Sequence, residues 1–311
     1  LADKRYSGEA LGPRGERERY SRVIRALDLL KEDLSQSVPS PPSGLFGARA
    51  VLRAGGSVID LANLDLEFTV PFDDDTTANE AEFTVYNLSR ATRERLELDK
   101  AVTLTAGYGD DTGVIFSGVI SDVKSPWVGV DRKTVISAVD NPALKEKDVE
   151  NISFSAGTSA SYILRALLER LGLPIVVFRA RKDHIYEDAV TVSGGIMQSI
   201  DRYARTCGIS TYIQRGKIYA QDVRESTNGL RFDLDSSHGL LESPEPFQEE
   251  LKEDGETEIR KGYRLKLLLQ HRAMTGSLVN LRTRDVTGAF HVLEGKHVYN
   301  GTDFITELTV I

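Results

Sequence analysis

The chain has 311 residues and a mass of 34.4 kDa, which is room for two domains or three small ones. Its 40% apolar and 28% charged residues exclude wholesale disorder. No apolar run approaches the ~18 residues of a membrane span, and the N-terminal stretch does not read as a signal peptide. The formal charge of −8 argues against tight nucleic-acid binding by counterion release, while suiting a chain that surrounds or guides a polyanion. A single cysteine, Cys207, excludes an internal disulfide or a Cys-rich zinc site, so folding in a reducing cytosol is expected.

In chain order, residues 1–43 read as an N-terminal helical arm and linker. Tyr20, Val23, Ile24, Leu27 and Leu34 recur at helical spacing, and Pro39, Pro41 and Pro42 stop the pattern. A lone amphipathic helix must dock on its own chain or on a neighbour. It is read as an assembly arm, with packing on the following domain as the alternative. Residues 44–145 read as antiparallel strands, an open sheet or closed barrel: 46–52, 64–70, 80–86, 101–107, 113–123 and 133–139. A short helix capped by Ser89 interrupts them, with Arg93 and Glu97 as an i,i+4 pair.

Residues 146–228 read as a compact α+β module. One helix, capped by Thr158 or Ser159, should bury Tyr162, Ile163, Ala166, Leu167 and Leu171. A second should bury Ile196, Ile200, Tyr203, Ala204 and Cys207, and a hairpin turns at Arg215-Gly216. Residues 229–311 return to strands at 263–270, 278–281, 288–297 and 304–311, with the acidic stretch 245–262 expected as a loop or excursion. The four blocks carry net charges of +1, −6, +1 and −4. Two acidic β blocks therefore flank a nearly neutral one.

The two acidic blocks resemble each other. Thr112-Gly113 through Val123 sets against Thr287-Gly288 through Val298 at a constant offset of 175, with a strand before and an apolar strand after in each. A duplication would give one chain two copies of one barrel, and three chains a closed ring of six.

The stretches Ala81-Glu82-Phe83-Thr84-Val85-Tyr86-Asn87-Leu88-Ser89, Ala101 to Tyr108, and Ile115-Phe116-Ser117-Gly118-Val119-Ile120 resemble the first barrel of phage tail baseplate hub proteins. Gly288 to Val292, His297 and Asp303 to Thr306 resemble that family's last hairpin. The resemblance covers most of residues 44–311. It implies a mainly β fold with two tube-like barrels joined by the α+β module, and a non-enzymatic structural role. It also implies a homotrimer whose six barrels form a pseudo-hexameric ring between a hexameric tail tube or distal tail protein and a trimeric spike or tip. DNA would then be transit cargo, no cofactor or stable membrane binding would be needed, and the protein would sit in the virion after assembly in the host cytoplasm. An acidic bore repels phosphate instead of trapping it. On this reading Tyr20, Ile24 and Leu27 of the arm, and Asp74, Asp75, Asp110 and Asp111 of two loops, are the candidate assembly contacts, beside Asp73.

Catalytic signatures are absent from the sequence. No HExxH, G-x-S-x-G or P-loop pattern occurs. His291 and His297 share one face only if their strand is regular; with Glu294 nearby a metal site is one reading, and packed or exposed histidines are the expectation. Cys207 lies on an apolar helix stripe, where a thiol behaves as a small hydrophobe. A tail-associated cell-wall hydrolase using carboxylates, and a host-glycan-binding β protein, stand as the rival readings.

Overall fold

A computed structural model describes residues 47–140, 148–226, 230–253 and 256–311. The helix expected around Tyr20, Ile24 and Leu27 lies outside the described residues. Alternating side chains build the first lobe from β1 (Ala48–Ala54), β2 (Ser57–Asp60), β3 (Leu66–Phe72) and β4 (Glu80–Tyr86). One helical turn, α1 (Arg90–Arg93), leads to β5 (Ala101–Tyr108), β6 (Asp111–Lys124), β7 (Trp127–Val128) and β8 (Asp131–Val139). The inward positions place Leu52, Phe83, Leu104, Ile120 and Ile136 in one fully buried core. Each such side chain contributes ~1.5–3 kcal/mol by leaving water. Ser89 caps α1 as expected, its Oγ accepting from the Thr92 amide at 3.1 Å. The helix stops too early to bring Glu97 onto its face. The ion pair is therefore Arg90–Glu94 at 2.7 Å, and Arg93 donates to the Leu88 carbonyl.

The middle module holds β9 (Asp148–Phe154), α2 (Ala160–Glu169), β10 (Ile175–Phe178), β11 (Val190–Gly195), α3 (Ile196–Thr206), β12 (Ser210–Gln214) and β13 (Lys217–Gln221). Ser159 caps α2. The buried face of α2 is Ile163, Leu164, Leu167 and Leu168, whereas Tyr162, expected inside, is exposed. Leucines at both i and i+1 widen the apolar stripe, so the amphipathic tyrosine rolls to its edge. On α3 the expected stripe is buried in full, including Cys207, whose thiol burial pushes up to about 11. β10, β13 and β12 form one small sheet, and β9 pairs with β11.

The second lobe comprises β14 (Arg231–Leu234), β15 (Glu245–Glu253), β16 (Glu256–Leu268), β17 (Leu278–Arg282), β18 (Thr287–Tyr299) and β19 (Phe304–Val310). The stretch expected as a loop is instead the β15–β16 hairpin, paired continuously from Glu245 with Arg264 to Glu253 with Glu256. Only residues 263–268 of β16 pair onward with β19, so most of the hairpin is a two-stranded ribbon. Such a ribbon has no second layer to impose apolar alternation, which hides it in the sequence.

The two lobes form one sheet, with strand order β15-β16-β19-β18-β3-β4-β8-β6-β5-β1-β2. The seam is the antiparallel pair β18–β3, from Gly295 opposite Phe72 to Tyr299 opposite Phe68.

Register matches the two lobes row by row, at a spacing that differs from the expected one. In the first lobe Thr69, Glu82, Ser137 and Asp122 stand in one row across β3, β4, β8 and β6. In the second, Glu245, Arg264, Thr309 and Glu294 stand in the same row across β15, β16, β19 and β18. A bulge falls immediately before Asp122 in one lobe and before Glu294 in the other. Ser125 bonds Thr134 at 2.9 Å where His297 bonds Thr306 at 2.8 Å, and both threonines are completely buried. Trp127 faces Arg132 where Tyr299 faces Phe304. The closing hairpins thus repeat at 172 residues, as Thr134 and Thr306 show, three fewer than the Gly-turn phrase suggests. A glycine phrase marks a turn, and turns slide; hydrogen-bonded rows do not.

Candidate assembly site at the junction of the two lobes

Two polar clusters tie the lobes and the middle module together. The first centres on Asp111, at the start of β6. Arg272 grips its carboxylate with two bonds, at 2.7 and 2.8 Å, and His271 Nε2 donates at 2.9 Å. Burial alone would raise this carboxyl, but the bonds from Arg272 and His271 prevail and hold it at about 2. His271 lies so close to Gly113 that a Cβ there would meet its Nδ1 at 2.3 Å, which fixes glycine at that position. Arg215 has φ of 50° in the β12–β13 turn and donates to the His271 carbonyl at 2.7 Å. Burial lowers its guanidinium to about 10. Burial, with Arg215 nearby, pushes His297 to about 3, so it stays neutral as it bonds Thr306.

The second cluster is the β3–β4 loop, Asp73 to Asn79. Its carboxylates fold the loop locally: Asp73 accepts from the Asp75 amide and Asp75 from the Thr77 amide at 2.6 Å. Asp74 accepts from Ser210 Oγ at 3.0 Å and from Arg260 at 3.4 Å, and so touches both β12 and the ribbon. The Asp73 carbonyl accepts from Thr275 at 3.0 Å. At the loop's other end the Asn79 amide and side chain donate to Asp140 at 3.1 and 3.2 Å. Burial, reinforced by neighbouring carboxylates, raises Asp73 and Asp140 to about 7 each, and burial raises Asp74.

The five loop aspartates singled out from sequence thus divide, with Asp73 folding its own loop. Asp74 and Asp111 are engaged inside the chain, while Asp75 is exposed and Asp110 is fully exposed beside Arg49 at 3.4 Å. Tyr20, Ile24 and Leu27 lie outside the described residues. Sequence reasoning missed His271, Arg272, Arg260, Asp140 and the reach of Arg215. Only the last left a trace, as a large cation at a tight Arg-Gly turn.

The site is built for cohesion. The nearest thing to a nucleophile relay is Asp235, Ser237 and His238. Asp235 and Ser237 both contact the same ring nitrogen, Nδ1, at 2.7 and 3.1 Å, whereas a relay needs opposite ring nitrogens. This geometry is a hydrogen-bonded turn. Among the described residues no group of three His, Cys, Asp or Glu is placed to hold a metal ion. The β18 bulge breaks the regular strand that would align His291 with His297. A cleft of about 460 Å³ over β3, β16, β18 and β19 is lined by charges that pair across it, Lys266 with Glu242 and Lys296 with Glu307.

The model of the family described as "Baseplate hub gp41" matches residues 56–282, spanning parts of both lobes and the whole middle module. The chain belongs to the baseplate hub gp41 family. Solved structures share the hub's fold at low identity. A tail protein of Neisseria meningitidis MC58 has 11% identity and a TM-score of 0.59, over 85% of this chain and 96% of that one. The 43 kDa tail protein of prophage MuSo2 from Shewanella oneidensis has 9% identity and a TM-score of 0.60, over 85% and 97%. The E. coli c3393 protein is a type VI secretion component described as structurally similar to the T4 tail proteins gp27 and gp5. It has 9% identity and a TM-score of 0.54, over 80% and 73%. No curated protein matches the hub. The family gives it a structural role as a baseplate hub, and the solved structures share its fold.

Proposed function

We propose that this hub trimerises into a ring of six lobes that joins a hexameric tail tube, or distal tail protein, to a trimeric spike or tip, and that its lumen passes DNA. The observation that carries the reading is the duplicated lobe. One chain holds two four-strand rows of the same build, joined edge to edge through β18 and β3. Repeating that step around an axis gives quasi-sixfold lobes from threefold chains. The role is non-enzymatic, with domains at 44–145, 146–228 and 229–311 and the segment 1–43 as an arm that clamps a neighbour. Asp75 and Asp110, exposed on their loops, are contacts for the tube or an adjacent subunit, while Asp74 and Asp111 set the shape of those loops. The net charge of −8 suits a bore that lets phosphate slide. Assembly takes place in the host cytoplasm. No described helix is long and apolar enough to cross a membrane.

Light scattering on the purified protein, with negative-stain images of the same peak, tests this. A mass three times 34.4 kDa and a central hole are expected. A chain that stays monomeric even with its tube or spike partner would refute the ring.

A further inference from the structure

The closing hairpins of the two lobes share a turn and differ in what it exposes. At the 172-residue spacing Val128-Gly129-Val130-Asp131 matches Asn300-Gly301-Thr302-Asp303. Glycine and aspartate fall in the same places, and both glycines have positive φ, 64° and 91°. In the second lobe Asn300 folds the turn from within. Its Oδ1 accepts from the Thr302 and Asp303 amides at 3.0 and 2.8 Å, and its Nδ2 donates to Asp303 at 3.2 Å. In the first lobe a valine holds that position and can cap nothing. The hairpin is braced from outside instead: Asn87 Nδ2 donates to Asp131 at 2.8 Å, and Asn87 Oδ1 accepts from the Arg132 amide at 2.9 Å. Trp127, Val128 and Val130 are 66%, 55% and 90% exposed on this fixed frame, and Val130 is the most exposed large apolar side chain among the described residues. The Arg132 guanidinium lies over the indole at 5.3 Å. Neither valine caps the turn or joins a core, and an exposed apolar cluster with a tryptophan marks a contact surface.

Strand register gives the end of the lobe on which this turn lies. Glu80 and Val119 both stand opposite Val139, so the loop 73–79 and the Asp110 turn lie toward the end where β8 finishes. Tyr86 stands opposite Lys133, so the turn 128–131 lies at the other end. The polar turn 300–303 lies at that same end of its own lobe, just past Tyr299 opposite Phe68. We infer that the apolar turn, with Trp127, Val128 and Val130, docks in an apolar socket of the threefold spike or tip protein, one turn per chain. Symmetry selects that partner. In the proposed ring, on which this inference rests, three apolar turns alternate with three polar ones. Six equal sockets cannot suit both chemistries, whereas three sockets take the apolar turns and leave the polar ones in water. The exposed aspartates assigned to the tube or an adjacent subunit, Asp75 and Asp110, lie toward the opposite end, which leaves this end free for the threefold partner.

Binding of the full-length hub to the spike or tip protein of its own particle tests this, with the tube protein as the control. Val130→Asp should weaken spike or tip binding by about tenfold or more, while trimer mass, melting temperature and tube binding stay unchanged. Thr302→Asp, the same change on the matching polar turn, should leave both bindings as they are. The sole tryptophan adds an independent readout. With 5-fluorotryptophan in the hub alone, the single fluorine resonance should move on adding the spike or tip protein and stay in place on adding the tube protein. Undiminished spike binding by Val130→Asp, or equal losses in the two variants, overturns the docking and leaves the ring standing. A Val130→Asp chain that folds but no longer trimerises puts the turn against a neighbouring copy and overturns the docking. Loss of tube binding with spike binding intact overturns the assigned partner. A wild-type chain that stays monomeric with both partners overturns the ring and the symmetry argument with it.

Discussion

Asp111 and Asp73 pull stability in opposite directions with pH. Asp111 is held at about 2, below the ordinary carboxylate value, so the folded state binds its proton more weakly than the unfolded one. Its contribution is present above pH ~4 and is lost as pH falls toward ~2. Asp73 and Asp140 are raised to about 7, so the folded state holds their protons more tightly, and stability falls as pH rises from ~4 through ~7. The melting temperature should therefore peak near pH 4–5 and decline toward pH 8. Asp73→Asn should flatten that decline, because the Asn oxygen still accepts from the Asp75 amide. A flat profile in the wild type between pH 5 and 8 would contradict the burial argument. Asp111→Asn should destabilise the fold by about 2 kcal/mol at pH 7 in denaturant titration, since Arg272 and His271 lose their charged acceptor. None of this was legible in the sequence. Asp111 and Asp73 stand in acidic runs, and acidic runs resemble solvated loops. Their partners, Arg272 and Thr275, are more than 150 residues away along the chain.

At the scale of elements, a polar pair staples each closing hairpin: Ser125 with Thr134, part-buried, and His297 with Thr306, buried. Thr306→Val should cost ~1–3 kcal/mol, leaving the neutral His297 Nδ1 without its hydroxyl partner. Thr134→Val should cost less, since the Ser125 hydroxyl that loses its partner can rotate. Equal losses in urea melts would remove the reason for distinguishing the two staples. The ribbon depends on close backbone approach at Gly262, where a Cβ would meet the Val310 carbonyl oxygen at 1.7 Å. Gly262→Ala should pry β16 from β19 and lower the melting temperature, while leaving the β10–β13 module's amides protected in hydrogen exchange. Strands that alternate over a core were legible in sequence, as were α3 and both helix caps. The β15–β16 ribbon, β2, β9 and β14 were not: β2 and β14 are four residues each, too short for their alternation to stand out, while β9 pairs only with β11 and most of the ribbon only with itself among the described residues.

For the whole molecule, the mainly β fold and the duplication could be read from residues alone. The repeat spacing was misjudged because glycine turns, the most visible landmarks, lie outside the hydrogen-bonded rows. What sequence hid entirely is that the lobes share one sheet, a fact carried by the β3–β18 pairing between segments more than 220 residues apart. Deleting residues 1–43 should weaken particle assembly without shifting the melting curve of the lobes, and normal assembly by the truncated chain would rule out the arm. The rows also match a short loop, Asp73–Asn79, with the longer tip of the β15–β16 ribbon. Any ring of these chains therefore alternates short and long projections on otherwise equivalent lobes. Such a ring is a keyed coupling: a partner that reads only the strand rows can seat in six rotational positions, whereas one that grips the ribbons is indexed to three. In the proposed ring, the extra ribbon residues would be where a sixfold surface first acquires a threefold phase.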